Sequence, residues 1–420
     1  MSFISHLKMA STMKEIILTS STDGPIVACD ASSGATLARF MGSRSPRKGL
    51  ALAGKKLIAA SHVCSDTGSG SVHLYNWWSS TSFHNLPVPE PVAPLAATLD
   101  GLYLFAGGLS GHIHALSLPS GDFVHSVAAH SKAVSCLEIN HDGSLLFSGS
   151  DDGTIAVLPI YKLLDDSPNK NSTNIILQRF VGHGSSVTTI VTGIGGSNCT
   201  ILSCSLDCTC KFWSLMHGTE LRTVAFPSTI WSAVIDPTES EFYIGGSDGL
   251  VYSAALKVAG RNLVKQGREM VSWAQRHDRA IVGMAMMNRG RNLVTASEDG
   301  SVWIWEVERR QVIKVVLDQE KGSISELLVA KGFGDGGESG VRMGGGNAES
   351  SGWSLGLSGG ELSRPIREVM DMEQTLSVLA QDRSRAIDTL GSAIETYEKL
   401  LELILKEAKR GTNSNNSDEE

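Results

Sequence analysis

The sequence is poor in aromatic residues and proline, and it has no long apolar run. Aromatic residues make up 6% of its 420 residues, and there are 12 prolines. No stretch approaches the roughly 20 apolar residues that a membrane-spanning helix needs. Residues 1–13 are too polar for a signal peptide, because His6 and Lys8 interrupt them, and residues 1–14 are predicted to be an N-terminal tail. We therefore expect a soluble protein that works inside the cell and contacts no membrane.

Positive charge and cysteine are also scarce. The 36 basic residues are outnumbered by 44 acidic ones, which gives a net charge of -8. This balance disfavours a broad basic surface for nucleic acid but not a local basic patch, so direct contact with RNA stays an open question. Seven cysteines, an odd number, predict free thiols in a reducing compartment.

Glycine is abundant, with 44 residues, and much of it recurs in a pattern. A turn of small residues followed by an alternating apolar strand occurs seven times. The turns are Asp23-Gly24, Ser69-Gly70, Ser110-Gly111, Asp152-Gly153, Asp207-Cys208, Asp248-Gly249 and Asp299-Gly300. Their second residues are 46, 41, 42, 55, 41 and 51 positions apart. A propeller blade of four strands takes about 40–45 residues, so residues 15–330 are predicted to form an all-β, seven-bladed propeller.

The fourth repeat shows the four strands of one blade. We predict strand a at Val134–Ile139, strand b at Leu145–Ser150, strand c at Thr154–Leu158 and strand d at Ile175–Phe180. A polar insertion around residues 165–174 accounts for the longest spacing. Alternation along each strand gives one face to each neighbouring blade, and a closed ring buries both faces.

The first repeat has no strand a of its own. Its strands b, c and d are predicted at Glu15–Ser20, Pro25–Cys29 and Ala35–Phe40. Beyond the last strand d, Gln311–Leu317, a further apolar strand follows at Ser323–Ala330. We predict that this strand inserts into the first blade and closes the ring, which removes both exposed sheet edges.

The repeats resemble the WD40 family. The seventh carries His277 and then Ser297–Glu306, and the fifth carries Gly182-His183, Ser203–Thr209 and Phe212–Ser214. The resemblance implies that a buried His–Ser/Thr–Asp–Trp chain of hydrogen bonds braces these blades. The implied bracing residues are His130, Asp152, His183, Asp207, Trp213, His277, Asp299 and Trp305. The fourth repeat departs from the pattern, with Leu158-Pro159 where Trp-Asp belongs, and the first, second, third and sixth repeats also lack the Trp.

A different pattern follows the propeller. Residues 331–361 contain 12 glycines in 31 positions, so 331–362 are predicted to be a flexible linker. Residues 363–410 are predicted to form a long coiled-coil helix, and 411–420 a disordered acidic tail. The heptad seam consists of Leu376, Ala380, Ile387, Leu390, Ile394, Tyr397, Leu401 and Ile404. A partner helix is the natural cover for this seam, and a helix folded back on the propeller is the alternative.

The combination of propeller, linker and helix resembles the WD-repeat subunit of the Rix-type pre-60S ribosome maturation complex. Val134–Gly153, Ala280–Glu306 and the helix after Ser363 carry the resemblance. It implies a scaffold in the nucleus, nucleolus and nucleoplasm that serves large-subunit assembly and ITS2 pre-rRNA processing. It also implies a Rix-type or PELP-type scaffold, the midasin AAA ATPase and the pre-60S particle as partners, and a homodimer formed through the helix. Plant members are tied to cell proliferation and to meristem and root formation.

Candidate sites for chemistry are weak. Cys199, Cys204, Cys208 and Cys210 cluster in sequence, but none of their spacings is the C-x-x-C of a zinc site. Gly344–Gly346 lack the Lys-Ser/Thr that a phosphate-binding loop requires. We therefore expect no metal and no cofactor.

Catalysis is not expected either. His130, His183 and His277 recur once per repeat, which is typical of a fold signature rather than an active site. No ionisable cluster is predicted at the central channel, where a propeller enzyme needs one. The short basic loop Arg44–Lys48 is predicted to be a solvated turn, with a nuclear signal or a phosphate contact as alternatives.

One further class stays open, a substrate receptor of a cullin-type ubiquitin ligase. Such receptors often carry Trp-Asp-x-Arg at the end of a blade. The best match here, Trp305-Glu306-Val307-Glu308, lacks the arginine.

Overall fold

The described part of the chain is built almost entirely of antiparallel β-sheet. The computed structural model describes residues 15–54, 56–64, 67–77, 79–164, 175–196, 199–256, 270–317 and 322–331. These residues form seven four-stranded sheets, which are the blades of a propeller. The predicted N-terminal tail 1–14, the polar insertion and the segments from 332 onward, with the whole helix seam, lie outside the described residues.

The strands follow the chain from blade to blade. Blade 1 contains β1 (Glu15–Ser21), β2 (Ile26–Asp30), β3 (Thr36–Phe40) and, from the end of the chain, β28 (Ile324–Lys331). Blade 2 contains β4 (Leu50–Ala53), β5 (Leu57–Val63), β6 (Gly70–Asn76) and β7 (His84–Pro87). Blade 3 contains β8 (Val92–Ala97), β9 (Tyr103–Gly108), β10 (His112–Ser117) and β11 (Phe123–Ala128).

The remaining blades repeat the same order. Blade 4 contains β12 (Val134–Ile139), β13 (Leu145–Ser150), β14 (Thr154–Pro159) and β15 (Gln178–Val181). Blade 5 contains β16 (Val187–Thr192), β17 (Ile201–Ser205), β18 (Thr209–Ser214) and β19 (Thr219–Ala225). Blade 6 contains β20 (Ile230–Ile235), β21 (Glu241–Gly246), β22 (Leu250–Ala255) and β23 (Met270–Arg276). Blade 7 contains β24 (Ile281–Met287), β25 (Asn292–Ser297), β26 (Val302–Glu306) and β27 (Gln311–Leu317). A short helix, α1 (Ile160–Leu163), follows β14, and a single 3-10 turn (Asn288–Gly290) follows β24.

The predicted blade count is confirmed, and so are most strands of the fourth repeat. Strands a and b have the predicted bounds, and strand c extends one residue further, to Pro159. The prediction for strand d was wrong at its start, since β15 begins at Gln178. Ile175 and Ile176 are apolar for a different reason, because they pack against the core between blades 3 and 4 without joining the sheet.

The predicted closure of the ring is also confirmed. β28 pairs antiparallel with β1, with Ile17 opposite Val329 and Leu18 opposite Leu328. The hydroxyls of Ser20 and Ser325 lie 3.0 Å apart in this junction. Blade 1 therefore combines three strands from the start of the propeller with one from its end, and the inner edge of β1 is paired.

Glycines on the second strands set the spacing between blades. A Cβ atom on Gly107 would lie 2.7 Å from Val134, and one on Gly245 would lie 2.7 Å from Ile281, each on the inner strand of the next blade. Contacts this short do not occur, so only glycine allows the blades to approach so closely. Large side chains fill the space further out, as where Phe212 of blade 5 meets Phe242 of blade 6 edge-on, with 5.3 Å between ring centroids.

Ring closure yields a direct prediction. A chain that ends at Lys321 lacks β28, so the edge of β1 and the apolar faces of blades 1 and 7 are exposed. We expect this chain to lose the cooperative thermal unfolding transition seen by circular dichroism. A chain that ends at Gly334 keeps β28 and is the control, for which we expect a normal transition. Full stability of the shorter chain would contradict the closing role of β28.

Candidate functional site

A four-residue polar chain runs through blade 5. The Nδ1 atom of His183 lies 3.0 Å from Asp207 Oδ2, and its Nε2 atom lies 2.8 Å from Ser203 Oγ. Trp213 Nε1 donates to the same hydroxyl at 2.8 Å. A carboxylate only accepts, so His183 donates through Nδ1 and accepts the Ser203 proton at Nε2. All four hydrogen-bonded residues were among the predicted bracing residues or their Ser/Thr partners.

Blade 7 has the same plan with one hydroxyl inserted. His277 Nδ1 lies 2.7 Å from Ser301 Oγ, while the carboxylate of Asp299 is 3.7 Å from that nitrogen. The Nε2 atom lies 2.8 Å from Thr295 Oγ1, to which Trp305 Nε1 also donates at 2.8 Å. Asp299 instead accepts from the Ser301 backbone amide at 2.7 Å.

Blade 4 keeps the polar chain but loses its tryptophan. His130 Nδ1 lies 2.9 Å from Thr154 Oγ1, and its Nε2 atom contacts the hydroxyl of Ser148. Asp152 accepts from the Thr154 hydroxyl at 2.6 Å and from Ser131 N at 3.0 Å. Leu158 is fully buried in the core between blades 3 and 4, so an apolar contact replaces the tryptophan.

Burial keeps these histidines neutral. Loss of solvent lowers the pKa of His130 and of His277 to about 4, and it lowers the pKa of His183 as well. Burial alone would raise the pKa of Asp152, but hydrogen bonds from Thr154 and Ser131 outweigh it and hold the pKa well below its usual range. A neutral imidazole between a carboxylate or hydroxyl and a second hydroxyl orients neighbouring strands, which suits a bracing role.

Blade 3 has a polar network that the sequence patterns did not reveal. His114 Nε2 lies 3.0 Å from Glu90 Oε1, and its Nδ1 atom lies 3.0 Å from Ser126 Oγ. Glu90 also accepts from Ser110 N at 2.8 Å. Glu90 precedes the inner strand of its blade as His130 does, but its histidine partner comes from strand β10. The sequence pattern that could have revealed this network is an acidic residue before strand β8, where blades 4, 5 and 7 have a histidine, together with a histidine in β10.

The central channel also differs from expectation. Inner strands of all seven blades surround a cavity of about 550 Å³. Lys48, Glu138 and Glu326 line it, so the prediction that the channel holds no ionisable cluster was wrong. Sequence patterns do not reveal this group, because its members are 90 or more positions apart and two of them fall within largely apolar strands.

The basic loop Arg44–Lys48 is not the solvated turn that we predicted. Ser45 is fully buried, and its carbonyl accepts from Ser325 Oγ of β28 at 2.8 Å. Leu95 of β8 donates to the carbonyl of Lys48 at 2.9 Å. Lys48 itself has a left-handed backbone, φ +59°, which L-residues adopt only when tertiary contacts fix them.

Arg47 extends the same loop across the ring. Its guanidinium lies 3.7 Å from the ring centroid of Trp231, at the start of β20, and it pairs with Glu298 of blade 7. The loop thus contacts the inner strands of blades 1, 3 and 6, which are not adjacent, and it crosses the mouth of the channel. We call residues 44–49 the plug. Because Arg47 and Lys48 are engaged inside the protein and only Arg44 is exposed, the plug is a poor nuclear signal or phosphate contact.

The cysteine cluster is not arranged for metal binding. We expected free thiols throughout, and this was wrong for Cys204 and Cys210, which the structure joins by a disulfide. They are direct partners in β17 and β18, with 4.2 Å between their Cα atoms. Cys208 lies in their hairpin at φ +64°, and burial raises the pKa of the Cys199 thiol to about 12. In the described part of the chain, no three His, Cys, Asp or Glu side chains converge as metal ligands.

Among the residues with a described structure, none of the helices has the length and apolar character to cross a bilayer.

Comparison with known proteins agrees with the geometry. The family model described as "WD domain, G-beta repeat" matches residues 121–157, 174–214 and 271–306. These three segments contain the histidines and carboxylates of blades 4, 5 and 7 and the tryptophans of blades 5 and 7.

Curated relatives match over most of the propeller. Protein ROOT INITIATION DEFECTIVE 3 of Arabidopsis thaliana is 32% identical over 320 residues, which cover 75% of this chain and 72% of that protein. WD repeat-containing protein 18 of Homo sapiens is 26% identical over 331 residues, or 77% of this chain and 74% of that protein. Pre-rRNA-processing protein crb3/ipi3 of Schizosaccharomyces pombe is 25% identical over 289 residues, or 61% of this chain and 64% of that protein.

The polar chain of blade 7 can be tested at Thr295, whose hydroxyl bonds both Trp305 and His277 and is fully buried. We predict that Thr295→Val lowers the free energy of unfolding by about 2–3 kcal/mol, since it leaves two buried nitrogen atoms without their partner. Thr295→Ser is the control, because it keeps the hydroxyl and loses only a methyl group. Denaturant unfolding measures the free energy of unfolding of both variants. A valine variant as stable as the serine variant would contradict the bracing role.

Proposed function

This chain belongs to the WD-repeat family that includes ROOT INITIATION DEFECTIVE 3 of Arabidopsis thaliana, and on that premise we propose that it is a non-catalytic scaffold of a nuclear pre-60S ribosome maturation complex. The observation that carries the proposal is the match of one propeller to relatives named for pre-rRNA processing in two yeasts. In this role the protein serves large-subunit assembly and ITS2 pre-rRNA processing. It acts in the nucleus, nucleolus and nucleoplasm.

The geometry of the propeller supports a role in holding partners. The ring is rigid because buried polar chains and interlocked blades fix its strands, whereas the connecting loops are free to vary. His130, His183 and His277 are neutral and bonded within their blades, so we infer that they stabilise the fold rather than attack a substrate. We propose a Rix-type or PELP-type scaffold, the midasin AAA ATPase and the pre-60S particle as the partners of this platform.

The C-terminal segment supports a second part of the proposal. Its heptad seam favours pairing of two copies into a homodimer. A dimer presents two propellers, so two weak contacts with one particle act at high effective concentration. In a plant, loss of this function would limit the supply of ribosomes. Growth would be impaired first in proliferating tissue, such as the meristem and the forming root.

The main proposal predicts what the intact protein binds. Affinity purification of the tagged chain from nuclear extract is expected to recover large-subunit precursors with ITS2-containing RNA, together with the scaffold and midasin. A parallel sample treated with ribonuclease separates protein contacts from contacts through RNA. Recovery of a ubiquitin ligase adaptor, with no ribosomal precursor, would contradict the assembly role and favour the ligase alternative.

The dimer is tested by charge on the seam. We expect Leu390→Asp and Leu401→Asp to give monomers with an intact propeller, because a buried carboxylate opposes helix pairing. Ser392→Asp adds the same charge on the opposite helix face and serves as the control. Light scattering reports the mass of each variant in solution. A dimeric mass for both leucine variants would remove the homodimer from the proposal.

A further inference from the structure

The central channel combines apolar walls with a charged end. Inner-strand residues such as Val191, Met286 and Val329 line it toward the end of the strands. Glu326, the third residue of β28, and Lys48, which precedes β4, lie toward the opposite end, whereas Glu138 is the fifth residue of β12 and lies level with Val191 of β16. The plug crosses that same end. The plug therefore covers the end of the cavity that holds Glu326, and we call this cavity the shaft.

The charges in this shaft are not balanced. Two carboxylates, Glu138 and Glu326, face one ammonium group, that of Lys48. Lys48 Nζ is 3.7 Å from Glu326 Oε1, which is long for a hydrogen bond. Glu326 is 4% exposed, and its second oxygen, Oε2, is buried and accepts no hydrogen bond from any residue within the described ranges. A buried carboxylate oxygen without a donor is costly, so this atom points to a cationic donor from outside the chain.

The pKa values of the two carboxyl groups also indicate a lack of positive charge. Burial raises the pKa of Glu138 to about 7 and also raises the pKa of Glu326, since neither carboxylate has enough positive charge near it. Among the described residues that line the cavity, Lys48 is the one lysine or arginine. The plug therefore supplies part of the required positive charge and leaves the remainder to a ligand.

We propose that the channel binds a cationic group on an apolar stem, with the cation at Glu326 and Glu138 and the stem along the apolar walls. A lysine or arginine side chain has this form, since its hydrocarbon stem favours apolar surroundings and its head favours carboxylates. A free polyamine has the same chemistry. The site is independent of the proposed role in ribosome assembly, because it rests on the channel alone.

Calorimetry with the full-length protein tests the site. The probes are an acetylated, amidated Gly-Gly-Arg-Gly-Gly peptide, the same peptide with uncharged citrulline in place of arginine, and spermidine. We expect the arginine peptide or spermidine to bind, and the citrulline peptide to bind about tenfold more weakly or not at all. Binding of the arginine peptide alone identifies a partner side chain as the source, and equal or tighter binding of spermidine identifies a free polyamine. No binding of either cation would overturn the proposal.

Variants locate the binding within the channel. Glu326→Gln is expected to weaken cation binding about tenfold or more, whereas Glu308→Gln, which removes the same charge from an exposed turn, should leave it unchanged. Leu99 lies at the rim of the cavity and is 73% exposed, so substitutions there do not threaten folding. Leu99→Lys should weaken binding and Leu99→Glu should strengthen it. Equal affinity in the Lys and Glu variants would overturn the channel as the site, even if Glu326→Gln fails to fold.

Discussion

The pairing of β1 with β28 is the contact on which the rest of the structure depends. Each blade has two apolar faces, and a blade can bury both only when it has a neighbour on each side. A row of seven blades would leave two faces and the inner edge of β1 open, and the pairing of β28 with β1 covers that edge and joins the two ends of the row. The shared sheet of blade 1 fixes the ring, and the ring in turn fixes the central channel, the mouth that the plug covers and the loops that are free to contact partners.

Much of this architecture could be predicted from the sequence, because its signals are local. The alternation in Thr154–Leu158 and the Asp152-Gly153 turn need only neighbouring residues to be recognised, and both predictions agree with the structure. Even the closing strand could be found, since an extra strand at the end matched a missing one at the start. The start of strand d in blade 4 could not, because Ile175 and Ile176 have the composition of a strand while they pack outside the sheet.

The candidate site was predicted less completely, since its members come together only through the fold. In blade 3, Glu90 stands before the inner strand, where other blades have a histidine, and its partner His114 lies in β10, two strands later. The disulfide joins direct partners in adjacent strands, but an odd cysteine count argued for free thiols. Arg47 meets Glu298 across 251 positions, and no pattern of spacing predicts a contact over such a distance. The charge of the Arg44–Lys48 loop was visible, but its burial was not.

The origin of β28 also has a consequence for synthesis of the protein on the ribosome. Strands β1 to β3 are complete once residue 40 has left the exit tunnel, whereas their missing neighbour ends at Lys331. At the usual pace of about 5–20 residues per second, the nascent first sheet waits roughly 15–60 seconds with its inner edge bare. Throughout that interval it is a target for chaperones and for strands of other nascent chains. The last step of maturation is therefore the arrival of a single strand, and translation speed governs how long the chain remains vulnerable.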